Sequence, residues 1–217
     1  MATTQARATG AVTTRVLDRN PNMVALIVGG RTVAVLGHDE VRALRLGARP
    51  RWTAQLKARV TALVQHGRAR EAALRMMARR AHTRDELQRG LRKLKYPTAC
   101  VTGTLDALER DGWIDDAQCA AARVAQWESV STARKPRSAT WMVAELVTAG
   151  IEADLAEQCV ARGMSSATEC RSAEEALATA LTAGKSLRAA LAALYRRGFA
   201  PELLEELAVR HEDRDGD

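Results

Sequence analysis

The chain is poor in aromatic residues, with four Trp, two Tyr and one Phe among 217 residues. Most of these rings fall at positions that read as core-facing, and only Trp141 has no settled place on its helix. That excludes a row of exposed stacking platforms for single-stranded nucleic acid. Long apolar runs are also missing. The longest uncharged stretch, from Asn20 to Gly30, has 11 residues, where a membrane span needs roughly 18. The opening MATTQARATG carries no signal-peptide apolar core, so the expected compartment is the cytoplasm with no membrane contact. Cysteine is scarce: Cys100, Cys119, Cys159 and Cys170 stand at spacings of 19, 40 and 11, with no C-x-x-C pair and four scattered His. Neither a metal site nor a disulfide framework is expected.

Catalytic motifs are lacking too. There is no Gly-rich phosphate loop opening a helix, no H-E-x-x-H and no Gly-x-Ser-x-Gly. Cys100, Cys119 and Cys159 read as small buried hydrophobes. His82 stands just before a capping Thr83, and Asp115-Asp116 reads as a helix cap followed by a first-turn acid. The expectation is a non-enzyme without catalytic residues, cofactor or metal.

What the sequence has in excess is positive charge, and unevenly. Of the net +7, residues 1 to 44 carry +2, residues 45 to 110 carry +11, and residues 111 to 217 carry −6. The middle of the chain is suited to a polyanion or an acidic protein surface.

Residues 1–13 read as a flexible tail and 14–50 as a small α+β hairpin module. In the module, a turn at Asn20-Pro21-Asn22 precedes two apolar runs, Val24 to Val28 and Arg31 to Leu36, joined by Gly29-Gly30. A two-residue Gly-Gly loop predicts a hairpin pairing Leu26 with Val33, Val24 with Val35 and Ala25 with Ala34. A short helix over Asp39 to Leu46 follows. Everything after Trp52 reads helical.

Repetition is the clearest signal there. Taking Thr83, Ser138 and Ser186 as helix N-caps puts Leu91, Leu146 and Leu194 eight residues on, and Lys95, Gly150 and Gly198 four beyond those. Tyr96, Ile151 and Phe199 come next, the apolar residue that closes a Schellman-type stop. Each copy has a preceding helix (70–79, 116–127 and 172–183) and a following one (97–109, 152–162 and 201–210). Thr83-x-x-Glu86 and Ser172-x-x-Glu175 read as capping boxes. The expected fold is mainly α: a connecting helix over 51–66, then three-helix repeats over 67–112, 113–163 and 164–210, and a tail over 211–217. Such units bury too little singly and are expected to stack into a tandem, elongated array.

The middle helix of the first copy, 83 to 95, is the informative one. Leu87, Leu91 and Leu94 form its predicted buried stripe. Arg84, Arg92 and Lys95 line one flank, and Arg89 and Lys93 the next. Like charges at this spacing repel by a few tenths of a kcal/mol per pair, so stability does not account for them. With the lead-in Arg79-Arg80 and a second cluster at Arg134, Lys135 and Arg137, these residues are the expected binding face.

Several stretches together resemble the RecX family of recombination regulators. Ala73-Leu-Arg-Met-Met-Ala-Arg-Arg-Ala-His-Thr-Arg-Asp-Glu-Leu87 is similar to that family's opening A-L-x-x-L-x-R-R helix and [ST]-x-x-E-L helix. Leu108-Glu-Arg-Asp-Gly-Trp-Ile-Asp-Asp116 resembles its L-x-x-x-G-[LWY]-[IL]-[DN]-D turn, and Arg196-Arg-Gly-Phe199 its C-terminal R-R-G-[FY] element. The chain departs from the pattern at Cys119, where Phe is common, and at Ser138-Ala-Thr-Trp-Met142, where a Gly and basic residues are usual. The resemblance implies a monomeric partner of RecA protein and the RecA-DNA filament. Such a protein lies in the filament groove and lowers RecA ATPase, strand exchange and filament growth in DNA repair, homologous recombination and the SOS response; the cationic surface itself is expected to bind nucleic acid weakly and salt-sensitively. The rival reading is a helix-turn-helix DNA-binding protein that places helix 83 to 95 in the major groove of duplex DNA.

Overall fold

A computed structural model describes residues 10–129 and 136–215. Three strands come first: β1 (Val12–Leu17), β2 (Asn20–Val28) and β3 (Arg31–Gly37), in an antiparallel sheet of order β1-β2-β3. The hairpin turn is the expected one, with Gly29 at φ +56 and Gly30 at φ +76. Its register is not the one expected beyond two pairs. Val28 faces Arg31 and Ile27 faces Thr32, but a bulge then sets Leu26 opposite Ala34, Ala25 opposite Val35 and Val24 opposite Leu36. Val33 is the extra residue. The bulge aligns Leu26, Ala34 and Leu36 on the buried face, whereas the straight register would set Val33 and Val35 there and turn Ala34 and Leu36 outward. Asn20-Pro21-Asn22 does not turn; it begins β2, and β1 adds a third strand.

The chain divides into two compact units, residues 1–79 with 88–110, and residues 80–87 with 111–217. In the first, helix α1 (His38–Ala43) and the long α2 (Ala54–Met77) cover the sheet. Val12, Leu26, Val28, Leu36, Leu44, Leu56 and Val60 share one core. Backbone bonds from Val12 to Pro50 and from Trp52 to Gly10 tie β1 to the approach of α2. Thr53 caps α2, its hydroxyl accepting from the Leu56 amide at 3.1 Å. α2 runs unbroken across the expected boundary between a connecting helix and a separate helix from Arg70. The one breaker there is Gly67, and a single glycine costs a helix only about 1 kcal/mol. Helix α4 (Thr98–Arg110) packs on α2, where His66 Nδ1 lies 3.2 Å from Thr104 Oγ1.

In the second unit, α5 (Asp116–Ser129), α6 (Ala139–Thr148) and α7 (Ala153–Gly163) enclose a core of Val124, Met142, Leu146, Ile151 and Val160. Helices α8 (Ser166–Thr182), α9 (Leu187–Tyr195) and α10 (Pro201–Asp215) enclose Leu177, Leu194, Phe199, Leu204 and Leu207. α8 starts six residues before the expected Ser172, because Ser165 caps it by accepting from the Thr168 amide at 3.1 Å. Ser172 is then an internal residue.

Helix α3 (Arg84–Lys93) spans the division between the units. Its end, and those of α6 and α9, close alike. The Tyr96, Ile151 and Phe199 amides donate back to the carbonyls of Leu91, Leu146 and Leu194 at 3.4, 3.1 and 3.4 Å. The residues before them, Lys95, Gly150 and Gly198, have φ of +64, +91 and +84. These are the Schellman stops that the spacing of the three segments predicts.

Candidate functional site

Within the first unit, the last turns of α3 carry Arg89, Arg92 and Lys93, followed by Lys95, and all four are exposed. Positions 89, 92 and 93 lie three and four apart and so share one helix face. Leu94, expected in the buried stripe, is 58% exposed, while Leu87 and Leu91 are fully buried. The helix stops at Lys93, so residue 94 belongs to the closing turn and leaves the face that 87 and 91 share. The result is an exposed Leu between two lysines.

The first turn of α3 belongs to the second unit and has a different electrostatic character. Glu86 accepts from Arg123 Nη2 on α5 at 2.6 Å and from Arg80 at 3.0 and 3.2 Å. It also accepts from the Thr83 amide at 3.2 Å, while its own amide donates to Thr83 Oγ1, completing the expected capping box. Burial acts to raise the Glu86 pKa, but the hydrogen bonds from Arg80 and Arg123, the Thr83 amide and the Arg123 charge outweigh it and hold it at about 2. Arg80 is therefore engaged in an ion pair, and Arg84 is half-buried with its amide bonded to Asp116 Oδ1 at 2.8 Å. Arg79 is exposed at the end of α2.

Of the second expected cluster, Arg134 and Lys135 lie outside the described residues. Arg137 stacks over Trp141, its guanidinium carbon 4.9 Å from the ring centroid, and Trp141 meets Trp127 edge-on at 5.2 Å. This places Trp141 half-buried beside the α5–α7 core and turns Arg137 into a packing residue. Trp113, expected to face a core, is 57% exposed, and Tyr195 is 61% exposed. Each follows or precedes a helix-ending turn, where the chain leaves the buried face. Cys100, Cys119 and Cys159 are buried, and burial pushes the Cys100 and Cys119 thiols up. Among the described residues no group of three His, Cys, Asp or Glu is placed to hold a metal, and no helix is long and apolar enough to cross a membrane.

Sequence reasoning misses the joints within the second unit. The Thr83 hydroxyl donates to the carbonyl of Ala149 at 2.5 Å, and the Ser138 hydroxyl to that of Arg197 at 2.7 Å. Beside each, the first helical amide is held by a carboxylate: Arg84 by Asp116 and Ala139 by Glu169, both at 2.8 Å. Gly150 and Gly198 let these N-terminal turns approach. A Cβ on Gly150 would meet the Asp85 Cβ at 2.2 Å, and one on Gly198 the Ser138 hydroxyl at 2.9 Å. The available signal was the change from Lys95 in the first copy to Gly150 and Gly198 in the next two.

The sequence and the fold have the same relatives. A protein of Mycobacterium avium named regulatory protein RecX is 33% identical over 158 residues, covering 67% of this chain and 88% of that one. The chain belongs to the RecX family. The regulatory proteins RecX of Mycobacterium ulcerans and Mycobacterium marinum are each 30% identical over 148 residues, covering 65% of this chain and 83% of theirs. No protein-family model matches the chain. A crystal structure of regulatory protein RecX superposes with a TM-score of 0.77 at 14% identity, covering 92% of this chain and 98% of its own. RecX from Lactobacillus salivarius superposes at 0.60 with 16% identity, over 67% and 96% of the two chains. The RecX fold, mainly helical with a small antiparallel sheet at its start, is thus the fold of this chain.

Proposed function

We propose that this RecX-family chain is a non-enzymatic regulator in the cytoplasm. It binds RecA protein and the RecA-DNA filament as a monomer and lowers RecA ATPase, strand exchange and filament extension. The observation that carries this reading is the exposed cationic run of Arg89, Arg92, Lys93 and Lys95 at the end of α3. Like charges at such spacing disfavour a helix in general, and a polyanionic filament suits them. Arg79 adds to the run, whereas Arg80 is held by Glu86, Arg137 stacks over Trp141, and Arg84 is half-buried. Positive charge without base-reading side chains suits phosphate contact over sequence recognition, so binding to duplex DNA alone is weak and falls steeply with salt. The contrast between +11 over residues 45 to 110 and −6 over residues 111 to 217 supports filament contact through the basic middle of the chain. The test is to titrate RecA's DNA-dependent ATPase with this protein at substoichiometric ratios. Inhibition supports the reading, and an unchanged rate overturns it.

A further inference from the structure

The three middle helices α3, α6 and α9 share their caps and stops, so their faces can be compared position by position. The face that on α3 bears Arg89, Arg92 and Lys93 bears Ala144, Val147 and Thr148 on α6. The one charge within α6 is Glu145. Val147, at the position of Arg92, is 44% exposed, and Tyr195, its counterpart on α9, is 61% exposed. The cationic stripe of α3 is therefore an uncharged, largely apolar stripe on α6, whereas α9 keeps a cation, Arg196, at the position of Lys93.

On α6 the stripe forms one wall of an open groove of about 720 Å³ whose other wall is α7. Val143, Ala144, Val147, Ala161 and Met164 line it, and Glu157 supplies a negative charge on the α7 side. Within α6 and α7 the charged residues are Glu145, Asp154 and Glu157 against Arg162 alone. A phosphate backbone is repelled here. Exposed apolar side chains beside unrelieved carboxylates mark a protein-binding surface.

We propose that the α6–α7 groove docks a protein segment that presents two or three apolar side chains at helical spacing next to a lysine or arginine, the cation meeting Glu157. Resting on the function proposed above, the segment belongs to the protein component of the filament, while the end of α3 meets its nucleic acid. The two middle helices then divide one recognition task by chemistry. α3 supplies the strongly salt-sensitive part and the α6–α7 groove a mainly apolar, less salt-sensitive part.

The experiment uses fluorescently labelled full-length protein, the variant A144E/V147E and the milder V147S, each titrated by anisotropy with DNA-free RecA, with RecA filament and with duplex DNA. The expected result is RecA and filament affinity lower by about tenfold for A144E/V147E and two- to threefold for V147S, with duplex affinity unchanged. V147S alters one exposed side chain and decides the matter should the double variant not fold. RecA and filament affinities equal to the parent's overturn the groove and leave the proposed function standing. A parent that binds neither overturns the proposed function itself. A parent dimer in sedimentation that A144E/V147E dissolves overturns the stated occupant in favour of a second copy of this chain.

Discussion

Thr83 and Ser138 occupy the same place in successive helices and use their hydroxyls in the same two ways. Each oxygen accepts from its own helix, from Glu86 and from Trp141 at 3.1 Å, and each donates to a carbonyl 66 or 59 residues further on. Both residues are completely buried. One small side chain thus caps a helix and fastens it to the end of the next middle helix.

Removing either hydroxyl leaves a helix uncapped and the carbonyl of Ala149 or Arg197 without its partner, so Thr83→Val and Ser138→Ala should each cost about 2 kcal/mol. Ser186 caps α9 alone, from an exposed position, and accepts from the Ala189 amide at 3.4 Å. Ser186→Ala should therefore cost about 1 kcal/mol or less. Urea unfolding of the three variants checks the ordering, and equal losses would remove the fastening role.

Gly150 and Lys95 make the opposite pair. Gly150→Ala strains a residue at φ +91 and drives its Cβ into Asp85, so a loss of about 3 kcal/mol is expected. Lys95→Gly relieves a left-handed residue at φ +64, so a gain of up to about 1 kcal/mol is expected. Thermal unfolding should move the midpoints in opposite directions.

Acid should loosen the joint between α3 and α5. Glu86 titrates near 2 in the folded protein against an ordinary 4.5. Its contribution is present in full above 4.5 and is lost as pH falls toward 2. With solvent screening the loss is about 1–2 kcal/mol. Unfolding midpoints measured across this window should fall in the parent and fall less in Glu86→Gln, whose side chain does not titrate.

The helical stops were legible because a stop needs a left-handed residue followed by an apolar one, and Lys95-Tyr96, Gly150-Ile151 and Gly198-Phe199 keep that order at fixed distance from a capping hydroxyl. The sheet was half legible. Gly29-Gly30 specifies the turn, but the bulge at Val33 satisfies the burial of Ala34 and Leu36, which depends on α1 and α2 and leaves no mark in β3 itself. α2 was divided between a connecting helix over 51–66 and a helix from Arg70, whereas it runs through Gly67 as one helix, which packing along its length decides. The cationic run of α3 was legible as composition. That Arg80 is held by Glu86, and Arg137 by Trp141, depends on pairings that no local pattern encodes, and so does the link from Arg123 to Glu86, 37 residues apart.

The most direct measurement is the concentration of this protein that half-inhibits RecA's DNA-dependent ATPase, compared between the parent and Arg92→Glu/Lys93→Glu. Both residues are exposed, so the variant is expected to fold as the parent does, which circular dichroism checks. The account predicts half-inhibition at a concentration higher by about tenfold, equivalent to about 1.4 kcal/mol for one or two lost charge-assisted contacts. Equal half-inhibition by a folded variant would contradict it and take the cationic end of α3 out of filament recognition.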